Sequence, residues 1–225
     1  MPDVCDAKNL KKLIEDLGIG IAFHAPLDIF LAQPRDEIFE ASLRVFRRCL
    51  EFASVFDTIY FNFHVNWNVS THPFLEVKEK IRENGTKACG EAVEFGDKHG
   101  FKVCIEYGQG FDENFLIEGL NVTFDVGHFI LDEVRNGRNY LNSLKIFLKK
   151  HGDRILVIHL HDCNLDDLVD HVSFGKGSLN LKEIVRMIRN KSYVLIETFW
   201  SDKNGKEVIS YSDLRKNLEF LINLL

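Results

Sequence analysis

The sequence lacks any apolar run long enough to cross a membrane, and its N-terminus, MPDVCDAKNLKK, has no apolar core of the signal-peptide kind. Cysteine is sparse: five residues, an odd number, lie far apart and form no CxxC pair. This pattern argues against a disulfide framework and against a cysteine zinc site. We therefore expect a soluble, cytoplasmic protein with reduced thiols.

Positive charge is also in deficit, with 28 lysines and arginines against 34 aspartates and glutamates and a formal net charge of −6. An acidic chain has no general attraction to phosphate backbones, which weakens a nucleic-acid partner without excluding one that meets a local basic patch. Prolines number only four, and no low-complexity segment or linker interrupts the chain. With 45% hydrophobic residues, the chain suits one domain spanning residues 1–225.

What the sequence does contain is a series of short apolar runs that each stop at a side chain able to bind metal. The six runs end at His24, His64, Glu106, Asp125, His159 and Glu197. Helical periodicity separates most of them, as over residues 35–55, 75–99 and 129–150. This alternation is typical of βα units, whose parallel strands point their carboxyl ends the same way. We predict a TIM-type (β/α) barrel with its functional site at those strand ends.

The number of strands does not complete such a barrel. A closed barrel has eight strands, and residues 2–5 are at most a stub of strand before the helix predicted at 7–17. The chain is therefore expected to lack one or two N-terminal βα units. An open barrel, a mis-assigned start and a partner that closes the gap all fit, and a homo-oligomer stays open. Residues 162–177 are predicted to form a long loop, and Asn84-Gly85 suggests a break in the helix at 75–99.

The donors at the strand ends form a coherent set for a metal. Glu106, Asp125, His159 and Glu197 offer three oxygens and one nitrogen, which suits Mn²⁺, Mg²⁺, Co²⁺ or Zn²⁺ with positions open for a substrate. His24 and His64 add two nitrogens. A single polar residue at a strand end is more often a helix cap or a loop hydrogen-bond partner. Six in series favour metal binding, because a buried carboxylate is costly unless it is paired or metal-bound.

Four further residues are candidates for substrate binding. His128 follows Asp125 by three residues, and His171 precedes the Gly175-Lys176-Gly177 turn, which could meet an anionic group. A lone GxG is a weak signal. Trp67, just past a strand end, could stack on a sugar ring or a base, or could equally cover the strand ends.

Taken in order, the motifs FHAPL, FNFH, IEYGQG, FDVGH, IHLHD, HVSFGKGSLN and VLIET resemble the xylose-isomerase-like barrel superfamily from about residue 7 to the C-terminus. That superfamily contains sugar and sugar-phosphate isomerases and epimerases, and the endonuclease IV type of abasic-site nuclease (AP endonuclease family 2). For the epimerase branch, the resemblance implies one divalent ion held by Glu106, Asp125, His159 and Glu197. It also implies that the two glutamates exchange the substrate proton from opposite faces.

For the nuclease branch, the resemblance implies three zinc ions, which use His24, His64, His128 and His171 as well. It requires an aspartate two residues before His171, where this chain has Val169 and an adjacent, out-of-register Asp170. A third metal is therefore expected to lose a ligand. The aromatic-leucine wedge of the nucleases is not evident after His24, although Gly108-Gln-Gly110 resembles a nuclease loop.

The sequence thus favours a divalent-metal-dependent sugar or sugar-phosphate isomerase or epimerase that moves a proton through a metal-stabilised enediolate. Glu106 and Glu197 would be its base and acid, and His128, His171, Trp67 and Lys176 would bind substrate. The alternative is a zinc phosphodiesterase acting on abasic DNA, with up to three ions instead of one. A non-catalytic metal- or sugar-binding barrel is a third hypothesis, and four converging charged donors count against it.

Overall fold

The computed structural model describes residues 4–65, 73–108, 111–191 and 193–224, with the backbone alone for residues 4–6. Its helices are α1 (Val4–Leu17), α2 (Asp36–Ala53), α3 (Leu75–His99), α4 (Val126–Arg135), α5 (Tyr140–His151), α6 (Leu181–Ile188) and α7 (Tyr211–Leu224). Its strands are β1 (Ile21–His24), β2 (Thr58–Phe63), β3 (Lys102–Glu106), β4 (Asn121–Asp125), β5 (Ile155–Leu160), β6 (Asp162–Asn164), β7 (Val169–Val172) and β8 (Tyr193–Ile196). The chain divides into two compact units, Met1–Asn121 and Val122–Leu225.

The first unit contains the parallel strands β1, β2 and β3, with β2 in the middle. Their registers pair His24 with Asn62 and Phe63 with Ile105, so the three strands end at nearly the same level. Helix α2 buries an apolar side at helical spacing and packs aromatic rings on β2. The Phe46 ring packs against Phe61 and Phe63 of β2, and Phe39, Leu43 and Leu50 are buried at the same helical spacing.

The second unit contains the parallel strands β4, β5 and β8, with β5 in the middle. Asp125 is level with His159, and His159 is level with Leu195, so this unit also brings its strand ends together. After β5 the chain forms the antiparallel hairpin β6–β7 before it enters α6. The described residues thus contain six parallel strands, three in each unit, as predicted, which is two fewer than a closed barrel has.

Several local predictions were wrong. Val4 and Cys5 begin α1 and are not a stub of strand. Helix α3 continues through Asn84 and Gly85, because Asn84 donates to the Gln33 carbonyl and Gly85 lies against the Phe115 ring. Both residues are therefore fixed by tertiary contacts that outweigh their weak helical preference.

The second unit departs from the predictions at two places. The helix predicted at 129–150 is two helices, because Gly137 adopts a left-handed conformation (φ 67°) that ends α4 after Arg135. The loop predicted at 162–177 contains the β6–β7 hairpin. Across the described parts of the chain, none of the helices combines the length and the apolarity that a bilayer span requires.

Candidate metal and active site

In the first unit, three predicted ligands meet at the carboxyl ends of neighbouring strands. Glu106 ends β3 and is buried, with 4% of its surface exposed. His24 Nε2 lies 3.0 Å from Glu106 Oε2, and His64 Nε2 lies 3.4 Å from the same oxygen. One ligand atom from each of the three residues lies within 4.8 Å of the others. Two imidazole nitrogens and a carboxylate at this spacing could hold a divalent cation.

Asn62 also belongs to this group, although the pattern of strand ends did not predict it. Its buried side chain donates an amide hydrogen to Glu106 Oε2, and its Oδ1 has no hydrogen-bond partner in the described structure. Asn62 lies two residues before His64, which follows the last residue of β2, and at the strand period of two both side chains point toward Glu106. That alternation is the signal that could have identified it.

In the second unit, Asp125 is fully buried between the end of β4 and the start of α4. Its Oδ1 accepts the His128 backbone N–H at 2.6 Å, which caps α4, and lies 3.2 Å from His161 Nε2. Burial raises the pKa of Asp125, but the imidazoles of His161 and His128 outweigh it, and the pKa is lowered. The Asp125 carboxylate is therefore ionised, and its Oδ2 has no hydrogen-bond partner among the described residues.

His159 and Glu197 form a second pair in this unit. His159 lies near the end of β5, and Glu197 follows β8 with its backbone N–H on the Leu160 carbonyl. His159 Nδ1 is 2.7 Å from Glu197 Oε2, within ion-pair distance. This buried oxygen forms no hydrogen bond with the described residues. One ligand atom from each of Asp125, His159 and Glu197 lies within 4.8 Å of the others.

Asp170 lies between His128 and His171, despite being out of register in the sequence. Its carboxylate oxygens are 3.3 Å from His128 Nε2 and 3.1 Å from His171 Nδ1. Hydrogen bonds from these two imidazoles hold the pKa of Asp170 well below its usual value. Burial lowers the pKa of His128, but the bond to Asp170 and the charge of Asp125 raise it overall.

His171 reaches this position through an unusual backbone conformation. Its φ of 54° is in the left-handed region, which is costly for a residue with a Cβ, and it lies within β7. The imidazole stacks on His161 and on Phe199, with both ring centroids 4.2 Å away. The structure therefore fixes the direction of His171 and Asp170 by a local departure from regular strand geometry.

His161, two residues after His159 in the sequence, connects these residues. It is completely buried, its Nδ1 accepts the His171 backbone N–H at 2.9 Å, and its Nε2 faces Asp125. One ligand atom from each of Asp125, His128, His161 and His171 lies within 4.8 Å of the others. This is a second potential metal group in the same unit.

Asp162 fixes the turn that carries Lys176. Both of its oxygens are used: Oδ1 accepts from the backbone of Cys163 and Leu179, and Oδ2 from Gly175 and Gly177. Lys176 itself is exposed, and Trp67 lies outside the described residues. For both, a role in substrate binding stays a prediction.

A model of the family described as xylose isomerase-like TIM barrel matches residues 2–224. No curated protein matches the chain. Among solved structures, a D-tagatose 3-epimerase-like protein is 20% identical, with a TM-score of 0.75 over 99% of this chain and 83% of that one. The 3-keto-D-glucoside 4-epimerase YcjR from E. coli is 15% identical, with a TM-score of 0.70 over 98% and 85%. The IOLI protein with a bound zinc atom is 16% identical, with a TM-score of 0.68 over 96% and 81%. Likeness at these identities shows the fold.

Proposed function

The chain belongs to the xylose isomerase-like TIM barrel family, and we propose that it is a divalent-metal-dependent isomerase or epimerase of a sugar or sugar phosphate. Similar folds in solved structures include proteins described as sugar epimerases, which supports this substrate class.

The observation that carries the proposal is the pair of buried carboxylate oxygens, Asp125 Oδ2 and Glu197 Oε2, for which the described residues offer no hydrogen bond. Each oxygen has an imidazole nitrogen nearby, His128 Nδ1 at 3.7 Å and His159 Nδ1 at 2.7 Å. A buried carboxylate oxygen without a hydrogen bond still costs about 1–3 kcal/mol. A cation held by Asp125, His159 and Glu197 would remove that cost, since their ligand atoms are close enough to share it. Two oxygens and one nitrogen suit Mn²⁺, Mg²⁺, Co²⁺ or Zn²⁺ and leave positions free for a substrate.

The roles of the glutamates follow from the family resemblance and stay proposals. Glu106 would complete the ligand set, and Glu106 and Glu197 would take and return the proton on the substrate carbon. A divalent ion supplies positive charge to the substrate oxygens as negative charge develops on them. His128 and His171 would bind substrate hydroxyls, since their ring nitrogens are polar groups held in place by Asp170.

Asp170 favours a second candidate function, a zinc phosphodiesterase of the abasic-site nuclease type. Val169 stands where the resemblance requires an aspartate, which counts against a third metal. Asp170 instead brings a carboxylate to His128 and His171, and His24, His64 and Glu106 form a further group in the first unit. These contacts support more than one bound metal ion per chain, so the number of bound ions discriminates between the two functions.

Metal stoichiometry is therefore the first measurement. The purified protein, stripped of metal and dialysed against Mn²⁺ or Zn²⁺, should retain about one tightly bound ion per chain if it is an isomerase. About three ions per chain, together with nicking of duplex DNA that contains an abasic site, would favour the phosphodiesterase. No retained ion would contradict both proposals.

Proton exchange tests the isomerase directly without knowledge of the final product. A panel of ketoses and ketose phosphates is incubated in D₂O with the metal-loaded protein, and deuterium incorporation next to the carbonyl is followed by NMR. Glu197→Gln should abolish exchange and leave the fold intact, because the amide cannot accept the proton. Glu207→Gln, in an exposed loop, is the control. Undiminished exchange in Glu197→Gln would eliminate the assigned role.

A further inference from the structure

His161 is completely buried in the second unit, and the proposed function gives it no role. Its ring lies against the backbone at the start of α4, where a Cβ on Gly127 would collide with it. The ring also stacks on His171, with the centroids 4.2 Å apart and the planes inclined by only 13°. The glycine and the stacked imidazole therefore restrict where this ring can lie, which is unusual care for a side chain without a function.

Both ring nitrogens of His161 meet groups of the protein itself. Nε2 lies 3.2 Å from Asp125 Oδ1, and because the ionised carboxylate can only accept, Nε2 carries a proton and donates it. Nδ1 accepts the His171 backbone N–H at 2.9 Å, and the Asp162 carbonyl oxygen lies beside it at 3.1 Å. His161 could therefore bind a metal ion directly only by giving up one of these hydrogen bonds.

Two donors from different segments converge on the same oxygen of Asp125. Oδ1 accepts the His128 backbone N–H at 2.6 Å and the His161 Nε2–H at 3.2 Å, whereas the buried Oδ2 forms no hydrogen bond with the described residues. A single donor would let the carboxylate turn about its bond to Cβ. The second donor, which comes from the segment between β5 and β6, restricts that rotation and leaves Oδ2 for a cation shared with His159 and Glu197.

We propose that His161 is a positioning residue for the metal: its Nε2–H holds Asp125 Oδ1, so that Oδ2 is directed at the cation that Asp125, His159 and Glu197 would bind. This inference rests on the proposed function, because it requires a metal ion at that group. A carboxylate that is already oriented loses less conformational freedom when the ion binds, so the hydrogen bond from His161 raises the affinity for the ion.

The first test determines whether Nε2 carries the proton, in the metal-free protein. Heteronuclear NMR that correlates the ring nitrogens with the carbon-bound ring protons reports which nitrogens are protonated, and the His161 signals are those that disappear in His161→Gln. We expect a protonated Nε2, because Asp125 accepts from it. An unprotonated Nε2 would overturn the proposal whatever the metal binding shows.

The second test separates the two nitrogens by substitution and measures metal affinity by calorimetry. Glutamine can place its NH₂ group near the position of Nε2, whereas asparagine ends near Nδ1 and does not reach Asp125. His161→Asn should weaken Mn²⁺ or Zn²⁺ binding by about 10–100-fold, as loss of a group that orients a metal ligand does, and His161→Gln by less than about 10-fold. His151→Asn is the matched control, since His151 is also buried but precedes the amino end of β5. It should leave the affinity unchanged.

Three results of the second test would overturn the positioning role while leaving the proposed function intact. If His161 only fills space, both variants lose metal affinity equally, in parallel with their melting temperatures. If it is a direct ligand, both lose one bound ion per chain. If it does nothing for the metal, His161→Asn binds as tightly as wild type. A wild-type protein that binds no ion would instead contradict the proposed function, and this inference with it. Circular dichroism verifies folding, and the NMR result on the wild type decides if a variant does not fold.

Discussion

Asp162 accepts hydrogen bonds from four backbone N–H groups, which makes Asp162→Asn an informative substitution. Asp162 is almost completely buried, and its four acceptor distances lie between 2.8 and 3.1 Å. Asparagine has nearly the same shape but replaces one carboxylate oxygen with an NH₂ group. Whichever way the amide turns, two backbone N–H donors then face another donor.

The expected magnitude follows from those contacts. Hydrogen bonds to a charged acceptor contribute about 1.5–3 kcal/mol each, so two lost bonds amount to roughly 3–6 kcal/mol. Part of this is recovered, because burial raises the pKa of Asp162 against the pull of the four amides, which means that its charge is costly in the folded state. We expect a net loss of about 2–4 kcal/mol in the free energy of unfolding.

Urea unfolding measures this loss, and hydrogen exchange of residues 173–179 should show that the turn carrying Lys176 opens more often. Asp202→Asn is the matched control: Asp202 also accepts three backbone N–H groups, from Asn204, Lys206 and Glu207, but water can replace them in its exposed loop. The control should change stability far less. Equal stability of wild type and Asp162→Asn, with unchanged exchange, would refute the reasoning.

Two further perturbations follow from the same unit. Asp170→Asn should lower stability by up to about 1 kcal/mol, a value discounted for partial exposure. Because the pKa of His128 is raised, its contribution to folding stability is complete below the ordinary histidine value of about 6.5 and is lost as pH rises through the raised value. Because the pKa of Asp170 is lowered, its contribution to folding stability is lost only as pH falls below about 4. Urea unfolding should thus show the largest stability difference between wild type and Asp170→Asn near pH 5, and a constant difference up to pH 9 would contradict the ion pair. Gly127→Ala should lower the free energy of unfolding by about 1–3 kcal/mol, since its Cβ would collide with the buried His161 ring. Gly90→Ala, whose Cβ meets only an ordinary contact, should be neutral or stabilising in the same thermal melts.

The order of strands and helices could be predicted because it depends on local periodicity. The apolar runs of β2, β3, β4 and β5 are buried on both faces, and the helices between the strands repeat their apolar positions every three or four residues. The β6–β7 hairpin could not be predicted in this way, because Asp162–Asn164 and Val169–Val172 have little apolar alternation. The Asn136-Gly137 pair is a turn signal that could have predicted the break between α4 and α5.

The candidate site, like the fold, was predictable in part from the sequence. The sequence by itself determined which residues end the strands, and so predicted His24, His64, Glu106, Asp125, His159 and Glu197 as donors, because the strand period fixes where an apolar run stops. Only the tertiary structure decided how irregular segments direct their side chains. Counting residues from His171 assigned the ligand position to Val169, but the left-handed conformation of His171 turns the backbone, and Asp170 is the residue that meets His128. A spacing rule assumes regular geometry, and the contacts of His161 and Asp162 hold this segment away from it.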